Sequence, residues 1–136
     1  MFNFLIKQRP KPQQRHRSNG RFQYDPSAKD KKEFALLAKE YAPKTPLRHK
    51  FDLHLTFCYK RPKNHYRSVK KQPVLKDDAP YYNTGRPDID NLCKFVMDSL
   101  HDFYVDDAQV VSINAIKVYG EEDYIHVKMF HNKKYC

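Results

Sequence analysis

The sequence predicts an α+β fold in a single domain, with four strands and two helices in the order β-α-β-α-β-β. Three observations predict it: a clean period-two alternation over residues 50–59, two stretches of helical apolar spacing at 29–42 and 89–103, and two strand-like segments meeting near Gly120. A length of 136 residues fits one domain of ordinary size, and 40% hydrophobic residues, with ten Tyr and nine Phe, can fill its core.

In chain order, residues 2–7 make a short first strand that Pro10 and Pro12 end, because proline fixes φ and has no N–H for a ladder. Residues 8–24 are a basic loop carrying Lys11, Arg15, His16, Arg17 and Arg21 around the turn dipeptide Asn19-Gly20, which favours a small hairpin or arm. Pro26-Ser27 opens a helix in which Phe34, Leu37, Ala38 and Tyr41 recur through 29–42, and Pro43 stops it. Over 50–59, Phe51, Leu53, Leu55, Phe57 and Tyr59 alternate with Asp52, His54, Thr56 and Cys58, the pattern of a strand with one buried face.

Residues 60–86 contain Pro62, Pro73 and Pro80 among Lys60, Arg61, Lys63, Arg67, Lys70, Lys71 and Lys76, with little periodicity. They read as a second basic loop, and loops of that length are commonly functional. Ile89, Leu92, Cys93, Val96, Leu100 and Phe103 mark the second helix. Residues 109–119 and 123–131 are the last two strands, the latter alternating through Ile125, Val127 and Met129. In the former the phase slips after Ala115 to Ile116 and Val118, which suggests a bulge.

The chain carries 26 Lys+Arg against 16 Asp+Glu, a net charge of +10, and such a field favours nucleic acid or an anionic membrane as partner. Residues 1–7 are apolar over too short a span for a signal peptide or a transmembrane helix, so no membrane association is expected. Cys58, Cys93 and Cys136 are odd in number and lack a C-x-x-C pairing, which argues against a disulfide framework and a thiolate zinc site. The seven histidines are scattered without metal-ligand spacing. The expectation is an intracellular protein, cytoplasmic or nucleoid-associated.

Against that basic background, acidic residues concentrate in Arg86-Pro87-Asp88-Ile89-Asp90-Asn91-Leu92-Cys93-Lys94 and in Val105-Asp106-Asp107-Ala108-Gln109-Val110. Carboxylates inside a basic protein point to a metal facing a polyanion. Mg²⁺ is commonly held by one or two carboxylates plus phosphate oxygens, and in that role it activates water for phosphodiester hydrolysis. Residues two apart in a regular helix point roughly 200° away from each other, so Asp88 and Asp90 converge only if Asp88 sits at the N-cap, where Pro87 and the apolar pattern place it. Each residue also has a structural reading: Asp88 as a cap, Asp90 paired with Lys94, Asp106-Asp107 as a turn. Tyr81 and Tyr82 either stack on exposed bases or anchor their loop on the core.

These two motifs, with Asp98-Ser99-Leu100 between them, resemble the core pattern of the RusA family of Holliday-junction resolvases. The similarity is densest over 86–119 and extends more loosely to the early basic loop and to Tyr24-Asp25-Pro26, so a single RusA-like endonuclease domain over 1–136 is expected. The resemblance implies a mixed four-stranded sheet in a homodimer that nicks four-way DNA junctions with Mg²⁺. It implies Asp88, Asp90 and Asp107 as catalytic metal ligands, Lys94 as the catalytic lysine, and Asp106 as a helper. It also implies a role in DNA recombination and repair and a phage- or virus-encoded origin. The departures are Cys93, Ser99 and the extended segment from Tyr59 to Gly85, which bear on substrate preference more than on catalysis. Arg15, Arg17, Lys70 and Lys71 are the candidate DNA-binding residues. The rival readings are a noncatalytic DNA- or RNA-binding module and a metal nuclease specific for flaps or forks.

Overall fold

A computed structural model describes all residues except 19 and 136, so the Asn19 half of the expected turn and Cys136 lie outside the described residues. In chain order the elements are β1 (Phe2–Ile6), β2 (Arg17–Ser18), β3 (Gln23–Tyr24), α1 (Ala28–Ala38), β4 (Phe51–Lys60), β5 (Tyr66–Val69), β6 (Gln72–Leu75), α2 (Ile89–Ser99), β7 (Val110–Gly120) and β8 (Tyr124–His131). The four expected strands form one mixed sheet in the order β1-β8-β4-β7, with β8 antiparallel to β1 and β4, and β4 parallel to β7. The architecture is the expected α+β single domain, extended by two small hairpins, β2-β3 and β5-β6.

The alternation in β4 buries Phe51, Leu53, Leu55, Phe57 and Tyr59, with Leu53, Leu55 and Phe57 opposite Met129, Val127 and Ile125 of β8, and it breaks only at Cys58, which is buried on the other face. Phe34 of α1 and Phe95 of α2 meet edge to face at 6.1 Å over this layer, an arrangement aromatic pairs favour. Leu37, placed on the same helical face by its spacing, is 49% exposed, and Phe34, Ala35 and Ala38 carry the burial instead. The first helix becomes a 3₁₀ turn at Lys39–Tyr41, from which Tyr41 stacks on Phe4 at 4.9 Å. The second helix ends at Ser99, short of the expected 103, yet Leu100 and Phe103 remain buried in the turn that follows.

Two further differences have clear causes. The slip expected after Ala115 is absent; the register is continuous from Asp52↔Ser112 to Lys60↔Gly120, and the irregularity lies between Phe51 and Asp52, opposite Val110–Ser112. The apparent phase change arises because β7 is an edge strand, with Val111 and Ile113 exposed. Residues 60–86 are not a plain loop. They hold a 3₁₀ turn (Lys63–His65) and the β5-β6 hairpin, closed by Lys70 and Lys71 at φ 51° and 63°. Such left-handed turns ordinarily announce themselves by Asn or Gly, and an exposed hairpin has no core face to impose an apolar period.

The early basic loop is fastened to both helices. Gln13 N donates to the Asn91 carbonyl of α2 (3.0 Å), and Asp25 accepts from Ser27 N (2.9 Å) and Gln13 Nε2 (3.0 Å) while pairing with Lys31. Burial works against the charge on Asp25, but Lys31, the Ser27 N–H and Gln13 together outweigh it and hold this carboxyl below its ordinary range. A carboxylate favoured by the fold stabilises it above the ordinary carboxyl pKa, and that stabilisation is lost as pH falls through the lowered value. Asp25→Asn is therefore expected to lower stability at neutral pH, with the gap to the parent closing in acid, as measured by urea unfolding across pH.

Candidate active site at the start of the second helix

Beyond a cis Arg86–Pro87 bond, Asp88 takes the extended N-cap conformation (φ −69°, ψ 147°) and Asp90 lies in the first turn of α2. The Asp88 side chain makes no capping hydrogen bond, and neither Asp88 nor Asp90 forms an ion pair among the described residues. Asp90 accepts only from its neighbour Asn91 N (2.9 Å). The ordinary role of an N-cap aspartate is thus unfilled, and two exposed carboxylates have no ion pair among the described residues of a strongly basic protein.

These carboxylates form the ridge between two cavities. One, of about 770 Å³, is lined also by Gln13, Arg15, Arg17 and Arg86. The other, of about 610 Å³, is lined by Tyr82, Ile89, Ala115, Ile116 and Lys117. The hydrogen bond from Gln13 to Asn91 brings the basic loop to α2. Lys117 Nζ donates to the Gly85 carbonyl, tying β7 to the segment that leads into the motif. The site thus joins the early loop, the helix start and the edge strand.

Lys94 does not pair with Asp90. Its ammonium lies 4.0 Å from Asp98, one turn further on, and Asp98 is in turn 3.6 Å from Lys31, whose other partner is Asp25. Asp107 belongs to this second group: partial burial and the Asp98 charge hold its carboxyl above the usual carboxylate range, with Lys94 acting against them. Asp106 and Asp107 have distinct surroundings. Asp106 caps the 3₁₀ turn Asp107–Gln109, accepting from Ala108 N (2.9 Å), while Gln109 Oε1 accepts from the Asp106 N–H (2.8 Å), a reciprocal capping box. Asp107 has no such task.

Among the described residues, no three His, Cys, Asp or Glu side chains gather to hold a metal. Asp88 and Asp90 share their cavities, whereas Asp107 stands with Lys94 and Asp98. The Asp88–Asp90 pair nevertheless suits Mg²⁺, which needs only one or two carboxylates when waters and substrate phosphates supply the remaining oxygens. Arg15 and Arg17 line the larger cavity with the carboxylates. Lys70 and Lys71 lie at the exposed tip of the β5-β6 hairpin and line neither. Two site residues, Arg86 and Lys117, are not singled out as site residues by the sequence, and Tyr82 is singled out there only as a base-stacking or core-anchoring residue of its loop. Arg86 stands within the motif itself and is legible there; Lys117 and Tyr82 reach the site only through the pairing of residues 81–83 with β7.

Among the described residues no helix is long and apolar enough to cross a membrane, and Cys58 and Cys93 are free thiols. Residues 6–129 match the family described as Endodeoxyribonuclease RusA. The chain is also 33% identical, over 94 residues, to "Uncharacterized protein YqaN" of Bacillus subtilis (strain 168). That match spans 68% of this chain and 66% of the relative.

Proposed function

Since the chain belongs to the RusA family of endodeoxyribonucleases, we propose that it is a Mg²⁺-dependent nuclease that resolves four-way (Holliday) DNA junctions by paired symmetric nicks, in DNA recombination and repair. The observation that carries this reading is the pair Asp88 and Asp90, which form no ion pair among the described residues and line an arginine-bearing cavity and the one that holds Lys117. Mg²⁺ supplies an activated water and neutralises charge on the scissile phosphate. Asp88 and Asp90 would hold the ion, and Asp107 is the third carboxylate of the motif. Lys94, steadied by Asp98, offsets charge on the phosphoryl oxygens. Arg15, Arg17, Lys70 and Lys71 grip the DNA backbone.

A four-way junction presents two equivalent strands, so a twofold-symmetric homodimer places one site at each. The test is incubation of the purified protein with labelled four-way junction, flap, duplex and single-stranded DNA, with Mg²⁺ or EDTA, alongside sedimentation of the free protein. A dimer that nicks opposing strands of the junction in Mg²⁺ alone is the expected result. Binding without cleavage under every condition makes the protein a binding module, and preferential cutting of flaps makes it a flap nuclease.

Binding should also be strongly salt-dependent, because neutralising phosphates releases counterions. Replacing Arg15 and Arg17 together by Ala, or Lys70 and Lys71 together, should weaken junction binding and flatten the dependence of log K on log salt by roughly 0.9 for each phosphate the variant no longer neutralises. A double variant with unchanged affinity and slope does not touch the backbone at that loop.

A further inference from the structure

We infer that Tyr82 is a stacking platform for an unstacked nucleobase next to the scissile phosphate, a subsite that rests on the nuclease reading above. Tyr81 and Tyr82 are 59% and 58% exposed, so they do not anchor their segment on the core. Their backbone does that instead: Tyr119 N donates to Tyr81 O and Asn83 N to Lys117 O, both at 3.0 Å, which pins residues 81–83 along the edge of β7. The Tyr81 and Tyr82 rings meet edge to face at 4.8 Å, each limiting the swing of the other. The result is a held aromatic ring with most of its surface open, the arrangement single-strand-binding proteins use because every base has a π face.

Its position gives it a ligand. Tyr82 lines the same 610 Å³ cavity as Asp88 and Asp90, where Ile89, Ala115 and Ile116 add apolar wall beside the polar Asn83, Thr84 and Lys117. One side of the cavity is therefore suited to a phosphate with its metal and the other to a flat apolar group, which together describe one nucleotide. A base in continuous duplex is hidden in its stack, whereas unpairing costs least where the base is already exposed. The platform thus favours branched DNA over duplex without adding a charge.

The test places 2-aminopurine, base by base, at the exchange point of a four-way junction and follows its fluorescence on titration with protein in EDTA, where the strands stay intact. The parent and Tyr82→Phe should quench the probe at one position. Tyr82→Ala and Tyr82→Leu should not, and their junction affinity should fall about five- to 100-fold, with duplex affinity and the salt slope unchanged. Tyr82→Leu keeps apolar bulk, so parent-like thermal melting with lost quenching assigns the loss to the ring. Junction affinity and quenching unchanged in Tyr82→Ala, while the parent cuts the junction in Mg²⁺, overturns the subsite and leaves the nuclease standing. A parent that cuts no DNA overturns the nuclease and the subsite with it.

Discussion

Asp107→Asn is expected to abolish Mg²⁺-dependent nicking while leaving the fold and junction binding intact. Asn has nearly the same shape, so only the charge is removed. In the folded protein desolvation and the Asp98 carboxylate disfavour that charge, against Lys94 and a hydrogen bond from Tyr104, so its removal relieves a repulsion while the Asn oxygen can still accept from Tyr104. Junction binding should equal or exceed that of the parent, since one negative charge near the phosphates has gone. Cleavage should fall by roughly two orders of magnitude or more, the scale at which transition-state charge stabilisation is lost. Asp106→Asn is the control: Asn is as good a cap as Asp, so this variant should nick at close to the parental rate. Parental nicking by Asp107→Asn with an inactive Asp106→Asn shows that the other member of the pair is the catalytic one. Single-turnover cleavage of a labelled junction, with urea unfolding of each variant, makes the comparison.

The second large effect is expected at the helix start. Asp88 stands at the N-cap but makes no capping hydrogen bond, so the stability role of such a residue, typically ~1 kcal/mol on replacement by Ala, should be largely missing. Asp88→Ala should therefore unfold in urea close to the parent, whereas Asp88→Asn and Asp90→Asn should both lose cleavage by about 100-fold or more. Lys94→Ala should also lose cleavage, with Mg²⁺ binding, followed by calorimetry in the presence of uncleaved junction, less affected. A stability loss near a full cap for Asp88→Ala, joined to undiminished nicking by Asp88→Asn, returns this residue to a structural role. Undiminished nicking by all four variants at Asp88, Asp90, Lys94 and Asp107 removes the nuclease reading.

The local content of the fold was most legible where an element has one apolar face and one polar face, as in β4, β8 and α2. Phe51 to Tyr59 and Ile125 to Met129 alternate because the helices cover one side of the sheet. The β5-β6 hairpin was not legible, since none of its residues is fully buried and it turns on two lysines in a conformation their side chains do not advertise. Leu37 misled for the opposite reason: an apolar residue at helical spacing does not need to be inside, and here it is half exposed.

By itself, the sequence determined the α+β composition, the placement of Asp88 at a helix boundary and the gathering of acid within a basic chain. Those are properties of residue order, set by proline geometry, periodicity and charge. Only the tertiary structure decided which surroundings these residues keep: that Lys94 turns to Asp98 instead of Asp90, that Asp106 is held in a capping box while Asp107 is not, and that Tyr82 lines a cavity with the carboxylates. Those outcomes depend on strands and loops distant in sequence meeting in space. A charged side chain of several rotatable bonds settles on whichever opposite charge the fold brings near, and sequence spacing only narrows the choice.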